Sequence, residues 1–377
     1  MLNKLREWFI STSTSSENKL NVVLTYNIKQ EGFDTPSAKY PFLKKFNYNT
    51  EINQDTFAEW DTEETINAVR DALALYHNVT LVEADNDAFE TFRELNPDIV
   101  FNIAEGFNGI SREAQIPAML EFLNIPYTGS DPVTLGICLD KSRTKEILSY
   151  YKIPTPQFLL IEKEDEYSSI EFPLPAIVKP VAEGSSKGIY NTSVVRTREE
   201  LIREIQKVHQ VYNQSALVEK FLDGREFTVA ILGNGRQARV LPIIEMKFEE
   251  LPEGVLPIYS YEAKWIFDTR EDPLDIYECP ANIDDKLKYE IEKVALSTYR
   301  VLRCRDWSRI DIRLDENGVP NVLEINPLPG ILPDPKDNSC YPKAARAAGM
   351  TYEEMINAVL NEARKRYGIW KKKLKYS

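Results

Sequence analysis

Trp307-Ser308-Arg309-Ile310-Asp311, followed by Asn321-Val322-Leu323-Glu324-Ile325-Asn326-Pro327, is the stretch that decides how this chain reads. Ile310 to Arg313 and Val322 to Ile325 alternate apolar with polar residues, the period of a half-buried strand. Asp315-Glu316-Asn317-Gly318 supplies a turn between them, so the hairpin points Asp311, Glu324 and Asn326 into one cleft. Oxygen ligands of this kind suit Mg²⁺, which keeps several waters and completes its shell from substrate phosphates. An edge hairpin with solvated acids fits the spacing equally well. Arg309 tips the balance, because it lies one alternation from Asp311 on the same strand face, where a cation holds negative charge that develops beside a metal.

The composition frames that site. With 377 residues, 43% of them hydrophobic, the chain is long enough for two or three domains and more than one core. A formal net charge of -13 argues against nucleic acid or an anionic membrane as the main partner, while leaving room for local basic patches that hold phosphates. Cys138, Cys279, Cys304 and Cys340 are scattered without any C-x-x-C, so they read as reduced thiols, neither a disulfide framework nor a zinc site. No apolar run approaches the ~20 residues of a membrane span. Trp8-Phe9-Ile10 is too short for a secretory segment, and a cytoplasmic protein is expected. His77 and His209 fall in or at the ends of predicted helices, away from any acid cluster, and neither G-x-S-x-G nor H-E-x-x-H occurs. The chemistry is left to lysine, arginine and carboxylates.

Residues 1–19 pass from Met1 to Ile10 into the run Ser11-Thr12-Ser13-Thr14-Ser15-Ser16 and read as a flexible lead-in. Val22 to Thr25, a helix over about Thr62 to Tyr76, Val79 to Val82, a helix near Asp85 to Leu95 and Ile99 to Asn102 alternate strand with helix, the pattern of a parallel α/β sheet. A helix from about Glu113 to Phe122 and a short strand at Tyr127-Thr128-Gly129 complete this half. Asn27 to Trp60 has no clear period and reads as a long insertion whose length hints at substrate binding. Ala176-Ile177-Val178-Lys179-Pro180 then reads as a buried strand running into Glu183-Gly184-Ser185-Ser186-Lys187-Gly188. Such a loop turns backbone N–H groups and hydroxyls onto phosphate oxygens beside Lys179, although a surface hairpin turn fits it too. In Ala216 to Leu222 an apolar strand is broken by Glu219 and Lys220, a segment able to frame an adenine edge, with Glu226 beyond it near a ribose. Either carboxylate also fits a structural ion pair.

Leu139-Asp140-Lys141, Val178-Lys179-Pro180, Glu183 to Ser186, Glu219-Lys220, Gly224 to Val229, Tyr261-Glu262-Ala263-Lys264, Trp307 to Asp311 and Glu324-Ile325-Asn326 follow one another in an order that resembles the D-alanine:D-alanine ligase branch of the ATP-grasp superfamily. The likeness covers about residues 95 to 363 and rests on separate elements falling in family order. It implies an α/β protein, α+β in its C-terminal part, with a Rossmann-like pre-ATP-grasp domain at 20–140, a central subdomain at 141–223 and a C-terminal subdomain at 224–377 that carries the metal and acceptor site. By resemblance, Lys141, Lys179, Ser185 and Ser186 hold ATP phosphates or close over them. Glu219, Lys220 and Leu222 frame the adenine, Glu226 binds the ribose and Lys264 approaches the γ-phosphate. Asp311, Glu324 and Asn326 bind two Mg²⁺ ions, for which Mn²⁺ can substitute; Arg309 and the Gly330 backbone stabilise the acyl-transfer step. The implied reaction joins a carboxylate to an amine through an acyl phosphate, with small amino-acid-like substrates and a homodimer. The alternatives are a ligase of specialised metabolism using a modified amino acid, and a catalytically inactive nucleotide-binding regulator.

Departures from the family gather at the substrate positions. Its serine-alanine-glutamate-arginine-glutamate run is absent after the first strand, and the nearest echo is Glu59, late in the insertion. Glu105 replaces a histidine, Ile110 an acid and Trp265 an aromatic hydroxyl. Ser339 matches the serine that takes the acceptor carboxylate, but behind a lengthened Pro333 to Ser339 loop.

Overall fold

The structure, a computed structural model, describes residues 19–29, 59–106, 109–162, 167–249, 251–252, 254–268 and 274–369. The predicted lead-in, most of the Asn27 to Trp60 insertion, the side chain of Trp265 and the basic run after Tyr367 at Lys371 to Lys375 lie outside the described residues.

The first unit runs β1 (Asn21–Tyr26), α1 (Glu63–Ala74), β2 (Asn78–Glu83), α2 (Ala88–Leu95), β3 (Ile99–Asn102), α3 (Gln115–Phe122) and α4 (Pro132–Leu139). Its three strands pair in parallel in the order β2-β1-β3, as the alternation of strand and helix predicts. Both faces are covered, as a parallel sheet requires. Val22 and Leu24 join the cluster that contains Ile66, Val69 and Leu73 of α1, while Val23 turns to Phe92 of α2 and Leu120 of α3. The strand predicted at Tyr127 to Gly129 is a single bridge, Val100 to Tyr127. Gly129 sits at φ +89°, and its N–H is taken by Asp306 at 2.8 Å, so the chain leaves the sheet there.

The second unit holds α5 (Lys141–Tyr150), β4 (Phe158–Ile161), β5 (Ala176–Pro180), β6 (Val194–Val195), α6 (Arg198–Lys207) and β7 (Ala216–Lys220), with an antiparallel sheet in the order β4-β7-β5-β6. The third holds β8 (Glu226–Leu232), β9 (Arg239–Val240), β10 (Ile244–Met246), β11 (Tyr277–Glu278), α7 (Asp285–Val301), β12 (Trp307–Leu314), β13 (Pro320–Asn326), α8 (Cys340–Ala347) and α9 (Tyr352–Tyr367). Its main sheet runs β11-β10-β8-β12-β13, with β9 on β8.

Strand alternation sets what faces where. Phe227, Val229 and Ile231 of β8 and Ile310, Ile312 and Leu314 of β12 pack on Ile291, Ala295 and Tyr299 of α7. The opposite faces carry Glu226, Thr228, Arg309, Asp311 and Arg313. The C-terminal helix does not stay with its own sheet. Met355, Ile356, Val359 and Leu360 of α9 share one cluster with α1 and β1, and Asn357 donates to the Ala72 carbonyl at 2.7 Å. Chain end and chain start therefore share a core, which fixes the first unit against the third.

Candidate active site

One cavity of about 540 Å³ opens between the three units. The catalytic, nucleotide, metal and substrate residues anticipated from the sequence line it: Glu59 and Glu105 from the first unit; Lys141, Lys179, Ser185, Ser186, Glu219 and Lys220 from the second; Leu222, Glu226, Lys264, Arg309, Asp311, Glu324, Asn326, Gly330 and Ser339 beyond, whereas Ile110, read at a substrate position, is exposed and lies off the cavity lining.

The β12-β13 hairpin forms as its alternation predicts, with Asp311 opposite Glu324 and Arg309 opposite Asn326. The register then shifts, because Ile312 pairs with Val322 and Leu323 has no partner. This bulge on β13 lets both Leu323 and Glu324 line the cavity. Arg309 Nη2 donates to Asp311 Oδ2 at 2.8 Å and to Glu324 Oε1 at 3.4 Å, Asn326 Nδ2 to the same Glu324 oxygen at 3.3 Å, and Lys141 Nζ lies 3.4 Å from Glu324 Oε2. Burial and then the Glu324 charge hold the Asp311 carboxyl above its usual range despite Arg309. Burial also raises Glu324, but Lys141, Arg309 and Lys179 outweigh it and leave that carboxyl far below. Two carboxylates facing each other, with an amide beside them, form a hard oxygen set that fits a divalent cation. Among the described residues, no group of three or more His, Cys, Asp or Glu is close enough to hold a metal. The pair needs the Asn326 amide, water and substrate oxygens to complete a shell.

Glu219 is placed differently from a free adenine ligand. Its side chain is 1% exposed, between Lys145 Nζ at 3.0 Å and Lys179 Nζ at 2.8 Å. Burial raises its pKa, and the two ammonium groups more than reverse that. Lys145 itself is pushed down to about 8 by burial, against the pull of Glu219. Lys220 turns its ammonium out to Glu316 at 2.7 Å, so its backbone and stem are what face the cavity. Glu226 accepts from Arg313 Nη1 at 3.1 Å, and burial raises it to about 7 even so. Lys264 lies in a π-helical turn, Ala263–Phe267, and is brought down to about 8 by burial and then by Arg309.

The glycine-serine loop is drawn across the cavity. Ser185 and Ser186 stand at φ +49° and +60°, a conformation that costs a non-glycine residue roughly 1 kcal/mol or more. Ser186 Oγ donates to the Tyr259 carbonyl at 2.7 Å, tying the loop to the third unit. Glu59 holds its other side. The Glu59 carboxylate accepts from the Gly184 N–H at 2.9 Å and from Arg112 Nη2 with both oxygens at 2.8 Å. A Cβ on Gly184 would come 2.4 Å from Glu59 Oε1, so only glycine permits this approach. Arg112 also donates to the Ala182 carbonyl at 2.9 Å, and Lys187 pairs with Glu183 at 2.7 Å. Burial raises the Glu59 carboxyl, but Arg112 and Lys187 override it and hold it at about 2.

Ser339 is likewise occupied. Its buried hydroxyl accepts from the Leu332 N–H at 3.1 Å and donates to the Gly330 carbonyl at 3.2 Å, which staples the lengthened loop. Glu105 lies near Glu113 and Glu59 and is raised well above its usual range, first by burial. Sequence reading missed Arg112, Glu113, Asp61, Lys145, Glu183 and Lys187 as site residues. The one local signal was Arg112-Glu113 at the head of the otherwise largely apolar α3.

Comparison with known proteins agrees with this architecture. The family model for the D-ala D-ala ligase C-terminus matches residues 147–361. An uncharacterized protein of Sinorhizobium fredii is 37% identical over 299 residues, 77% of this chain and 84% of that relative. The D-alanine–D-alanine ligase of Bordetella avium is 37% identical over 253 residues, covering 67% and 74%, and that of Pelotomaculum thermopropionicum 32% over 317 residues, covering 81% and 93%. Among solved structures, the Bacillus anthracis D-alanine–D-alanine ligase complexed with ATP superposes with a TM-score of 0.63 over 93% of this chain and 99% of that one, at 21% identity, a likeness of fold. This chain belongs to the D-alanine–D-alanine ligase family, ATP-dependent carbon–nitrogen ligases built on the ATP-grasp fold.

Proposed function

We propose that the protein activates a substrate carboxylate as an acyl phosphate and transfers the acyl group to an amine. The observation that carries this reading is the cavity itself, which gathers cations from β5, α5 and β12 around the facing carboxylates of Asp311 and Glu324. A carboxylate is a poor acyl donor, since its leaving group would be oxide. Transfer of the γ-phosphoryl group to one carboxylate oxygen releases ADP. The amine then attacks the acyl carbon, phosphate leaves with that oxygen, and the amine proton passes to solvent or base. Both steps build negative charge, so positioning and preorganised cations do the catalysis.

On this reading Lys141 and Lys179 neutralise nucleotide phosphates, while Leu222, Leu323 and the Lys220 backbone frame the base and Glu226 takes the ribose. Lys264 and Arg309 face the transferring group, and the Gly330 N–H supports the oxyanion. Asp311, Glu324 and Asn326 would hold two Mg²⁺ ions, which supply charge neutralisation at the phosphoryl oxygens when bound. The strap from Arg112 through Glu59 to Gly184 holds the loop down and keeps water from the activated acyl group. The domain division near residues 140 and 223, and a homodimer, belong to this proposal as well.

We further infer that the pair joined is not two molecules of D-alanine, since Glu59 and Ser339 are both engaged within the protein and Glu105 stands where the family has histidine. Incubation with ATP, Mg²⁺ and amino-acid mixtures, with product masses as readout, tests the activity. A carboxylate labelled with ¹⁸O should deliver one label to the released phosphate. Dipeptide formation without that transfer would refute the acyl phosphate.

A further inference from the structure

At the end of the cavity lined by the first unit, the charges do not balance. Glu59 and Glu183 are matched by Arg112 and Lys187. Lys29 and Glu64, which also line this end, add one charge of each sign. Lys141, the next cation inward, is held by Glu324 and by the Glu183 carbonyl. That leaves Asp61, Glu105 and Glu113. All three line the cavity, and none makes a hydrogen bond or ion pair with another side chain among the described residues. Glu113 is the most telling, because it is only 9% exposed and still has no partner.

Glu113 is buried and Asp61 and Glu105 are half-buried, and because burying an unpaired carboxylate costs several kcal/mol, their grouping on one wall points to a ligand that meets them. Their pKa values carry the mark of that cost. Burial holds Asp61 and Glu113 at about 7 and Glu105 well above its usual range. Arg112 pulls Glu105 and Glu113 down only in part, its hydrogen bonds going to Glu59 and Ala182. The three are not gathered closely enough to hold a metal ion. What fits is an organic cation whose charges are spread over several ångströms.

Resting on the ligase reading above, we propose that this end of the cavity takes an amino-acid substrate with at least two cationic nitrogens, a diamino acid or a comparably dibasic one, held by Asp61, Glu105 and Glu113. The α-ammonium of a neutral amino acid would satisfy one carboxylate and strand the others. A second ammonium group pairs the rest, and its arrival drives bound protons off them.

The test compares 2,3-diaminopropionate, 2,4-diaminobutyrate, ornithine and lysine with alanine, serine and glutamate, both enantiomers of each, as substrates with ATP and Mg²⁺. The best dibasic substrate should exceed the best neutral one in kcat/KM by about tenfold or more, the scale on which a buried polar site rejects a ligand that leaves it unpaired. Glu113→Gln should reduce that ratio about tenfold while leaving ATP affinity unchanged, with Glu105→Gln as the second variant if the first does not fold. Calorimetry at pH 7 in buffers of different ionisation enthalpy should show proton release on binding of the dibasic substrate. A preference for neutral substrates overturns this inference and leaves the ligase reading intact, as does a ratio unmoved in both variants. If no pair supports ATP turnover, the ligase reading fails, and calorimetry alone then decides the cation site: dibasic binding with proton release upholds it, and its absence overturns it.

Discussion

Glu219→Gln separates an adenine ligand from a structural charge. The substitution keeps the shape and removes the negative charge that lies 3.0 Å from Lys145 and 2.8 Å from Lys179, with the two lysine side chains 1% and 7% exposed. Breaking a buried ion pair by removing one partner costs roughly 3–5 kcal/mol. Glu219 bridges two ammonium groups, so the upper part of that range applies at neutral pH, where both are charged. The cost should fall on the sheet that contains β5 and β7, because Glu219 and Lys179 lie on those paired strands. Native-state hydrogen exchange reads this directly: amides of β7 should lose about 10³-fold protection or more at pH 7. The pH dependence has a fixed sign. Lys145 is depressed to about 8, so the folded state binds fewer protons than the unfolded one between pH 8 and the ordinary lysine range, and stability rises with pH there. Above pH 8 Lys145 is neutral in the wild type too, and the gap between wild type and variant should narrow. If Glu219→Gln instead keeps full protection of β7 and loses only nucleotide binding, the ion-pair reasoning is wrong and the carboxylate serves adenine.

Glu324→Gln should abolish ATP-dependent phosphate release while leaving the protein folded by circular dichroism; near-normal release at ordinary Mg²⁺ would remove Glu324 from the metal set. Arg309→Ala should lower kcat about 10²-fold or more with little change in ATP affinity, the scale of losing one transition-state donor; weakened ATP binding with turnover intact would move Arg309 to the nucleotide. Asp61→Asn should stabilise the protein increasingly as pH rises. Burial lifts the wild-type carboxyl to about 7, so the folded state binds the extra proton between its ordinary range and pH 7, and wild-type stability falls across that window. The melting-temperature difference should be absent near pH 4 and full-sized by pH 8, and a flat difference would show that Asp61 is ionised throughout.

What the sequence disclosed is what is local and periodic. The hairpin of β12 and β13 was legible because alternation places Arg309, Asp311, Glu324 and Asn326 on one face whatever the rest of the fold does. The bulge at Leu323 was not, since a strand's composition says nothing about which residue of its partner it skips. The strand predicted at Tyr127 to Gly129 shrank to one bridge because Asp306, 177 residues away, captures the Gly129 N–H. Lys145 carries no local signal in the sequence, and Ser339 reads as an acceptor-binding serine. Their partners, Glu219 and the Leu332 and Gly330 backbone, were set by tertiary packing. The substitutions at Glu59 and Glu105 could be read as departures, but not as parts of one rearrangement.

Arg112 connects them. An acid that anchors a substrate ammonium must have its charge free, and Glu59 does not: Arg112 engages both its oxygens and Gly184 takes one of them as well. The pairing that holds the Glu59 carboxyl at about 2 commits it to the loop at every physiological pH. A substrate's amino groups must therefore be met elsewhere on the same wall, and the carboxyls that line it without side-chain partners among the described residues are Asp61, Glu105 and Glu113. Glu113 follows Arg112 directly in the turn that leads into α3, so one dipeptide both withdraws the old anion and supplies a new one. Loop closure and substrate charge are coupled at that dipeptide. Arg112→Ala should accordingly do two things at once: loosen Gly184 and the loop above the nucleotide, and return Glu59, left with Lys187 at 3.6 Å as its cation, toward the cavity.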